Sequence, residues 1–250
     1  MSDYDRGLPR STRAGTVDMA VDAGLRAFML GIYNKMALGL LLSAGLAYLT
    51  AEYAPVRDLL YITTPSGALR GFTLLGNILR FAPLLIILAA MFGMKNASPR
   101  TSGILYWSIV ATIGASSGVW LLAFTGASVF MTFLITAAAF GALSLVGYTT
   151  KKDLSGMGSF LIMGLWGLLG AMLINMFLAS SMMALIVNVL GVAIFAGLTA
   201  YDTQRLKMQY YELGGDERAL GVATNWGALS LYLDFINLFQ FLLSLLGSRR

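Results

Sequence analysis

Apolar residues along this chain gather into long runs that short polar joints interrupt. A helix that crosses a bilayer needs roughly 20 mostly apolar residues. Seven runs approach or meet that length: Phe28–Ala51, Leu79–Met94, Gly103–Phe124, Ser128–Tyr148, Ser159–Phe177, Met182–Tyr201 and Leu229–Leu246. Apolar and polar positions do not alternate with period two inside them, which disfavours a strand barrel. The pattern predicts an all-α integral membrane protein with seven transmembrane helices. Two joints, Thr125-Gly126-Ala127 and Leu178–Ser181, leave room only for antiparallel hairpins. The connection Glu52–Ile78 holds Pro55, Pro65, Gly67, Gly71 and Gly76, so it is expected to be irregular, with room for a short helix. In Thr203–Ala228, Gly214-Gly215 should break a polar helical extension. The first 26 residues are polar and lack the short apolar core and small-residue cleavage site of a signal peptide. The expected division is a cytoplasmic polar segment over 1–26 and one polytopic transmembrane domain over 27–250.

Composition supports lipid as the main solvent. Of 250 residues, 58% are hydrophobic and 12% charged, whereas a soluble domain has about 45–50% and about 25%. The net charge of +5 could suggest nucleic acid, but the basic residues sit between apolar runs, so no nucleic-acid partner is expected. They also orient the chain. Alternating joints place eleven Lys and Arg on the amino-terminal side against two on the other, so the amino terminus is expected in the cytoplasm. Seven full spans would leave Arg249 and Arg250 outside, against that rule. Six spans plus a re-entrant last segment is therefore the alternative.

Cysteine and histidine are both absent. That excludes disulfides, thiolate nucleophiles, Ser-His triads and imidazole or thiolate zinc sites. Proton chemistry must come from displaced carboxylates or lysines, and no cofactor is expected. The carboxylates that stand out are Asp202, at the inner end of the sixth run, and Asp234, flanked by apolar residues in the seventh. An isolated carboxylate in hydrocarbon costs several kcal/mol unless paired or protonated. Asn237 shares the face of Asp234 and Gln240 follows one step on. This polar stripe suits a central helix surrounded by the others. The two aspartates fall at a similar depth, in the cytoplasmic third. Like charges about 4 Å apart repel by ~4 kcal/mol at an effective dielectric of roughly 20, so a close pair would share a proton. Losing it would part the carboxylates or recruit a cation, and hard carboxylate oxygens suit calcium.

The Tyr201-Asp202 turn with Gln204, and Leu231-Tyr-Leu-Asp-Phe-Ile-Asn-Leu-Phe239, resemble the signature of the Bax inhibitor-1 family, the transmembrane Bax-inhibitor-motif proteins. The seven-run layout resembles it across nearly the whole chain, and Leu25-Arg-Ala-Phe-Met looks most like bacterial members. The resemblance implies six helices around a central seventh and a pH-sensitive calcium leak across the bacterial inner membrane. It implies a hydrogen-bonded pair of Asp202 and Asp234 that senses pH and meets the transported calcium. It makes Lys95, in Phe92-Gly-Met-Lys95, the candidate latch on the pair. Tyr201, Gln204, Tyr232, Asn237 and Gln240 become residues that line the pathway or support the pair.

Other functions fit less well. Intramembrane aspartyl proteases carry a Gly-x-Gly-Asp turn and a Pro-Ala-Leu motif, and neither occurs here, so no enzyme is expected. A retinal pigment fails because the seventh run has no lysine. The serious rival is a membrane interaction protein that modulates a membrane-bound quality-control protease or a stress or cell-death pathway, with an unstructured segment Met1–Ala23 as its handle. Arg80 is expected to snorkel. The tryptophans and the 14 methionines are expected to anchor or pack. Asn175 and Asn188 are expected to bond between helices.

Overall fold

Helix formation follows the apolar runs closely, and extends well beyond them at the polar ends of α8 and α9. The computed structural model describes the backbone over residues 11–65, 68–93 and 98–250, with side chains over 23–65, 68–90 and 98–250. In chain order the elements are α1 (Ser11–Glu52), α2 (Ala54–Leu60), β1 (Tyr61–Thr63), β2 (Leu69–Phe72), α3 (Leu74–Gly93), α4 (Pro99–Ser116), α5 (Gly118–Ala123), α6 (Gly126–Thr149), α7 (Ser155–Leu178), α8 (Ser181–Glu212) and α9 (Glu217–Leu246).

Among the described residues, six helical stretches are long and apolar enough to cross a membrane: Ala23–Glu52, Pro99–Ala123, Gly126–Thr149, Ser155–Leu178, Ser181–Glu212 and Glu217–Leu246. The second expected run is a shorter apolar stretch, Leu74–Ala90. It begins five residues earlier than its apolar run suggests, and Pro83 lies inside it. Helix α1 already starts at Ser11, so the polar leading segment is helical over 11–23.

Local chemistry fixes the helix ends. The hydroxyls of Ser98, Thr125 and Ser180 accept from the backbone N–H groups of Thr101, Ser128 and Met183, capping α4, α6 and α8. The Asp216 carboxylate accepts from the N–H groups of Arg218 and Ala219 and starts α9. That cap sets the start of α9 twelve residues before its apolar run. Gly214 and Gly215, at φ of 57° and 88°, make the turn from α8, as the sequence suggested. The connection after α1 is more regular than expected. Besides α2 it holds a small antiparallel hairpin that pairs Tyr61 with Phe72.

Packing centres on α9. Half of its most apolar window is buried, against 11–33% for the other five spanning stretches, and it packs on α8, α1, α4 and α6. Its Leu231, Tyr232, Phe235 and Phe239 anchor the main core with Ile32 and Tyr106. Close approach elsewhere uses glycine. A methyl on Gly147 of α6 would strike the Ala200 carbonyl of α8, and one on Gly158 of α7 would enter the Tyr201 ring. Both contacts press α8 against its neighbours at the level of Asp202.

The described last segment is one uninterrupted helix of 30 residues, not a hairpin. Beyond it the chain zips onto the α5–α6 joint. Thr125 N–H donates to the Ser248 carbonyl at 3.0 Å and Arg250 N–H to that of Ala123 at 3.1 Å. Asn175 bonds locally, its side-chain oxygen accepting from Ser180 N–H at 3.0 Å, so the expected interhelical bond is replaced by a cap on the α7–α8 turn.

Candidate functional site

Asp202 sits where α8 meets α9, with three apolar turns behind it, and is 6% exposed. Ser230 of α9 donates its hydroxyl to one carboxylate oxygen. Arg205, one turn along α8, pairs with the other at 3.3 Å and also donates to the Ser230 oxygen at 3.3 Å. Its guanidinium lies 5.7 Å from the Tyr201 ring centre. Asp202, Ser230 and Arg205 therefore form a closed triangle.

Asp234 lies one turn beyond Ser230 on α9 and is 5% exposed. Its carboxyl group is within hydrogen-bonding reach of Asp202 and close enough to Arg205 to feel its charge. One oxygen, Oδ2, is buried with no hydrogen-bond partner. Two ionised carboxylates are both acceptors and cannot bond each other. An orphaned buried acceptor beside a second carboxyl is what one missing proton would satisfy.

The two expected aspartates are thus brought together. Lys95 lies outside the described residues. The base set beside the pair is Arg205, which in the sequence counted only toward orientation. Its i,i+3 spacing from Asp202 was the available signal. Ser230 was also missed, although it shares the face of Asp234 four residues earlier.

The other expected residues divide into three places. Tyr201 and Gln204 line a cleft of about 960 Å³ at the polar end of α8, with Arg205 and Ser230. Gln204 also straps the α6–α7 joint, accepting from Leu154 N–H and donating to the Lys152 carbonyl, both at 2.8 Å. In that joint the Asp153 carboxyl is held below its usual range by hydrogen bonds from Ser155. Asn237 and Gln240 line a second cleft of about 600 Å³ toward the other end, with Arg80 and Arg249. Tyr232 lines neither. It is fully buried, its hydroxyl 2.6 Å from that of Ser43 and its ring edge-on to Tyr106.

A second buried polar cluster went unnoticed in the sequence. Lys35 of α1 donates to the Asn225 side-chain oxygen. Asn225 donates to the Pro99 carbonyl and to Ser102, both at 2.8 Å. It ties α1, α4 and α9 together near their polar ends.

The described residues hold no group of three or more acidic side chains that could keep a metal. Two carboxylates supply at most four of the six to eight oxygens calcium takes. Any further ligands on a cation at this pair would come from backbone carbonyls, hydroxyls or water.

Long apolar helices, a half-buried last helix and buried carboxyls where it meets its neighbour define an α-helical integral membrane protein. Comparison with known proteins gives the family. The family described as inhibitor of apoptosis-promoting Bax1 matches residues 25–250, and the chain belongs to it. A protein of Caulobacter vibrioides is 58% identical over 250 residues, covering 100% of both chains. One of Rickettsia prowazekii is 41% identical over the full length of both. The inner membrane protein YbhL of Escherichia coli is 42% identical over 229 residues, 91% of this chain and 94% of that one.

Proposed function

We propose that this protein is a pH-sensitive cation leak pathway of the bacterial inner membrane, with calcium as its favoured cargo and Asp202 and Asp234 as its proton-sensing gate. The carrying observation is the buried carboxyl pair with one unpartnered oxygen. With one proton between them the carboxyls hold each other, and α8 stays closed on α9. Without it two anions face each other in a poorly hydrated site, and Arg205 offsets only part of the repulsion. They then part or take up a cation from the inner cleft, which Arg205 and Ser230 line.

In this reading α3 adds a seventh span and α9 is the central one, with α1, α4, α6 and α8 packed directly on it. The amino terminus faces the cytoplasm by the distribution of Lys and Arg, and the name of YbhL supports the inner membrane. The chain moves ions and catalyses no reaction. The test is calcium flux from liposomes that carry the purified protein. Wild-type flux should rise as pH goes from 6 to 8. Asp202→Asn and Asp234→Asn, which keep a hydrogen bond but cannot lose the proton, should hold flux flat across that range. A wild-type flux that does not change with pH would sink the reading.

A further inference from the structure

The inner and outer clefts approach each other from opposite ends of the bundle. Among the described residues, Leu233 alone lines both. It is half-buried and packs against the main apolar core together with Ile87 and Ile236. Helix α3 runs past the same place: Ile87 lines the inner cleft, and Pro83 and Leu84 line the outer one. Pro83 also removes one backbone hydrogen bond from α3, so this wall of the pathway is the easier one to bend. The backbone carbonyl of Leu233 accepts from the Asn237 side chain at 2.8 Å, which fixes the outer polar residue directly beyond the apolar one.

We propose that Leu233, backed by Ile87, is the apolar barrier that separates the water of the two clefts. This rests on the leak-pathway reading and adds the place where conduction stops. A constriction of aliphatic side chains blocks ions by shedding water, with no need for a tight steric seal. Leu233 immediately precedes Asp234 in α9. Any displacement of Asp234 away from Asp202 therefore carries Leu233 with it, which couples sensor to barrier without an intervening element. The aspartates decide when the path opens, and Leu233 decides what is closed.

The chain has no cysteine, so Leu233→Cys places a unique thiol in an otherwise native protein. In oriented vesicles at pH 8, a small cationic thiol reagent should modify it when applied from either side. Leu238→Cys, on a residue 1% exposed, should stay unmodified. Reaction of Cys-substituted 233 from one side only, or from neither, overturns the proposal. In liposomes at pH 6, Leu233→Ser should raise calcium flux severalfold, and Leu233→Met should leave it at the wild-type level. If Leu233→Ser conducts as wild type does while the aspartate variants still abolish the pH response, the barrier lies elsewhere and the proton-sensing reading survives. If Leu233→Ser leaks and wild type shows no pH response, the barrier stands and the sensing reading falls. Should Leu233→Ser fail to fold, two-sided labelling of the Cys variant still decides the question.

Discussion

Ser230 shows how much of a buried carboxyl pair depends on ordinary residues. It is the only side-chain hydroxyl on Asp202 among the described hydrogen bonds, and it receives Arg205 at the same time. Ser230→Ala leaves a buried carboxylate oxygen without its donor. Such a loss costs about 1–3 kcal/mol, so the variant should melt lower in detergent, and a melting temperature equal to wild type would contradict the triangle. Asn225→Ala should cost more, about 2–4 kcal/mol, because it strips the Lys35 amine, the Pro99 carbonyl and Ser102 of one shared partner. Thermal unfolding of the two variants side by side tests the order. These residues also mark what the sequence could show. Asp202 and Asp234 were legible because a carboxylate in an apolar run is an anomaly that needs a reason. Ser230, Asn225 and Lys35 were not, because each looks ordinary in its own helix and matters only through a partner elsewhere in the chain.

Elements were legible where one force dominates. Hydrophobic length placed the apolar cores of the helices to within a few residues. It could not place the polar extensions of α8 and α9, which depend on the Asp216 cap and the Gly214-Gly215 turn. Nor did it reveal the β1–β2 hairpin, which pairs Tyr61 with Phe72, Ile62 with Gly71 and Thr63 with Leu69 across a segment that reads as loop. The packing of α6 on α8 makes a prediction at this scale. Gly147→Val must push α6 away from the Ala200 backbone, and overpacking of this kind costs about 1–3 kcal/mol. Gly167→Val, on a glycine with open space around its Cβ position, should be far milder. Equal losses of melting temperature would show that the α6–α8 approach is not tight. The α6–α7 joint gives a pH-dependent counterpart. Because Ser155 holds the Asp153 carboxyl below its usual range, this bond stabilises the joint above the ordinary carboxylate range. The contribution is lost as pH falls through the lower, folded value. Exposed as the group is, acid should loosen the joint alone and leave the bundle intact, seen as faster amide exchange at Ser155 and its neighbours.

At the scale of the molecule, the polar stripe of α9 pointed to a central helix, and α9 is half buried against α8, α1, α4 and α6, while the two ends of the bundle differ in a way that the orientation rule alone does not capture. The inner cleft mixes signs, with Lys151, Lys152, Arg205 and Lys207 against Asp153 and Glu212. Among the described residues, the outer cleft is lined by Arg80 and Arg249 with no acidic residue. Arg249 is brought there by the zipped carboxyl-terminal tail, in an antiparallel bridge with Phe124. Two guanidinium groups at one mouth repel an approaching cation, and repulsion of this kind is long-ranged at low salt and screened within about 10 Å at 0.1 M. If cations use this mouth, Arg249→Ala should raise calcium flux at low ionic strength, and the gain should shrink as salt is added. The pH response should persist, since the aspartate pair is untouched. Arg249→Lys should behave like wild type, which separates charge from packing of the tail. A flux unchanged by Arg249→Ala at every salt concentration would mean that ions do not pass this mouth. The path from Leu233 would then have to leave the bundle by another face, because the outer cleft would be a closed vestibule instead of an exit.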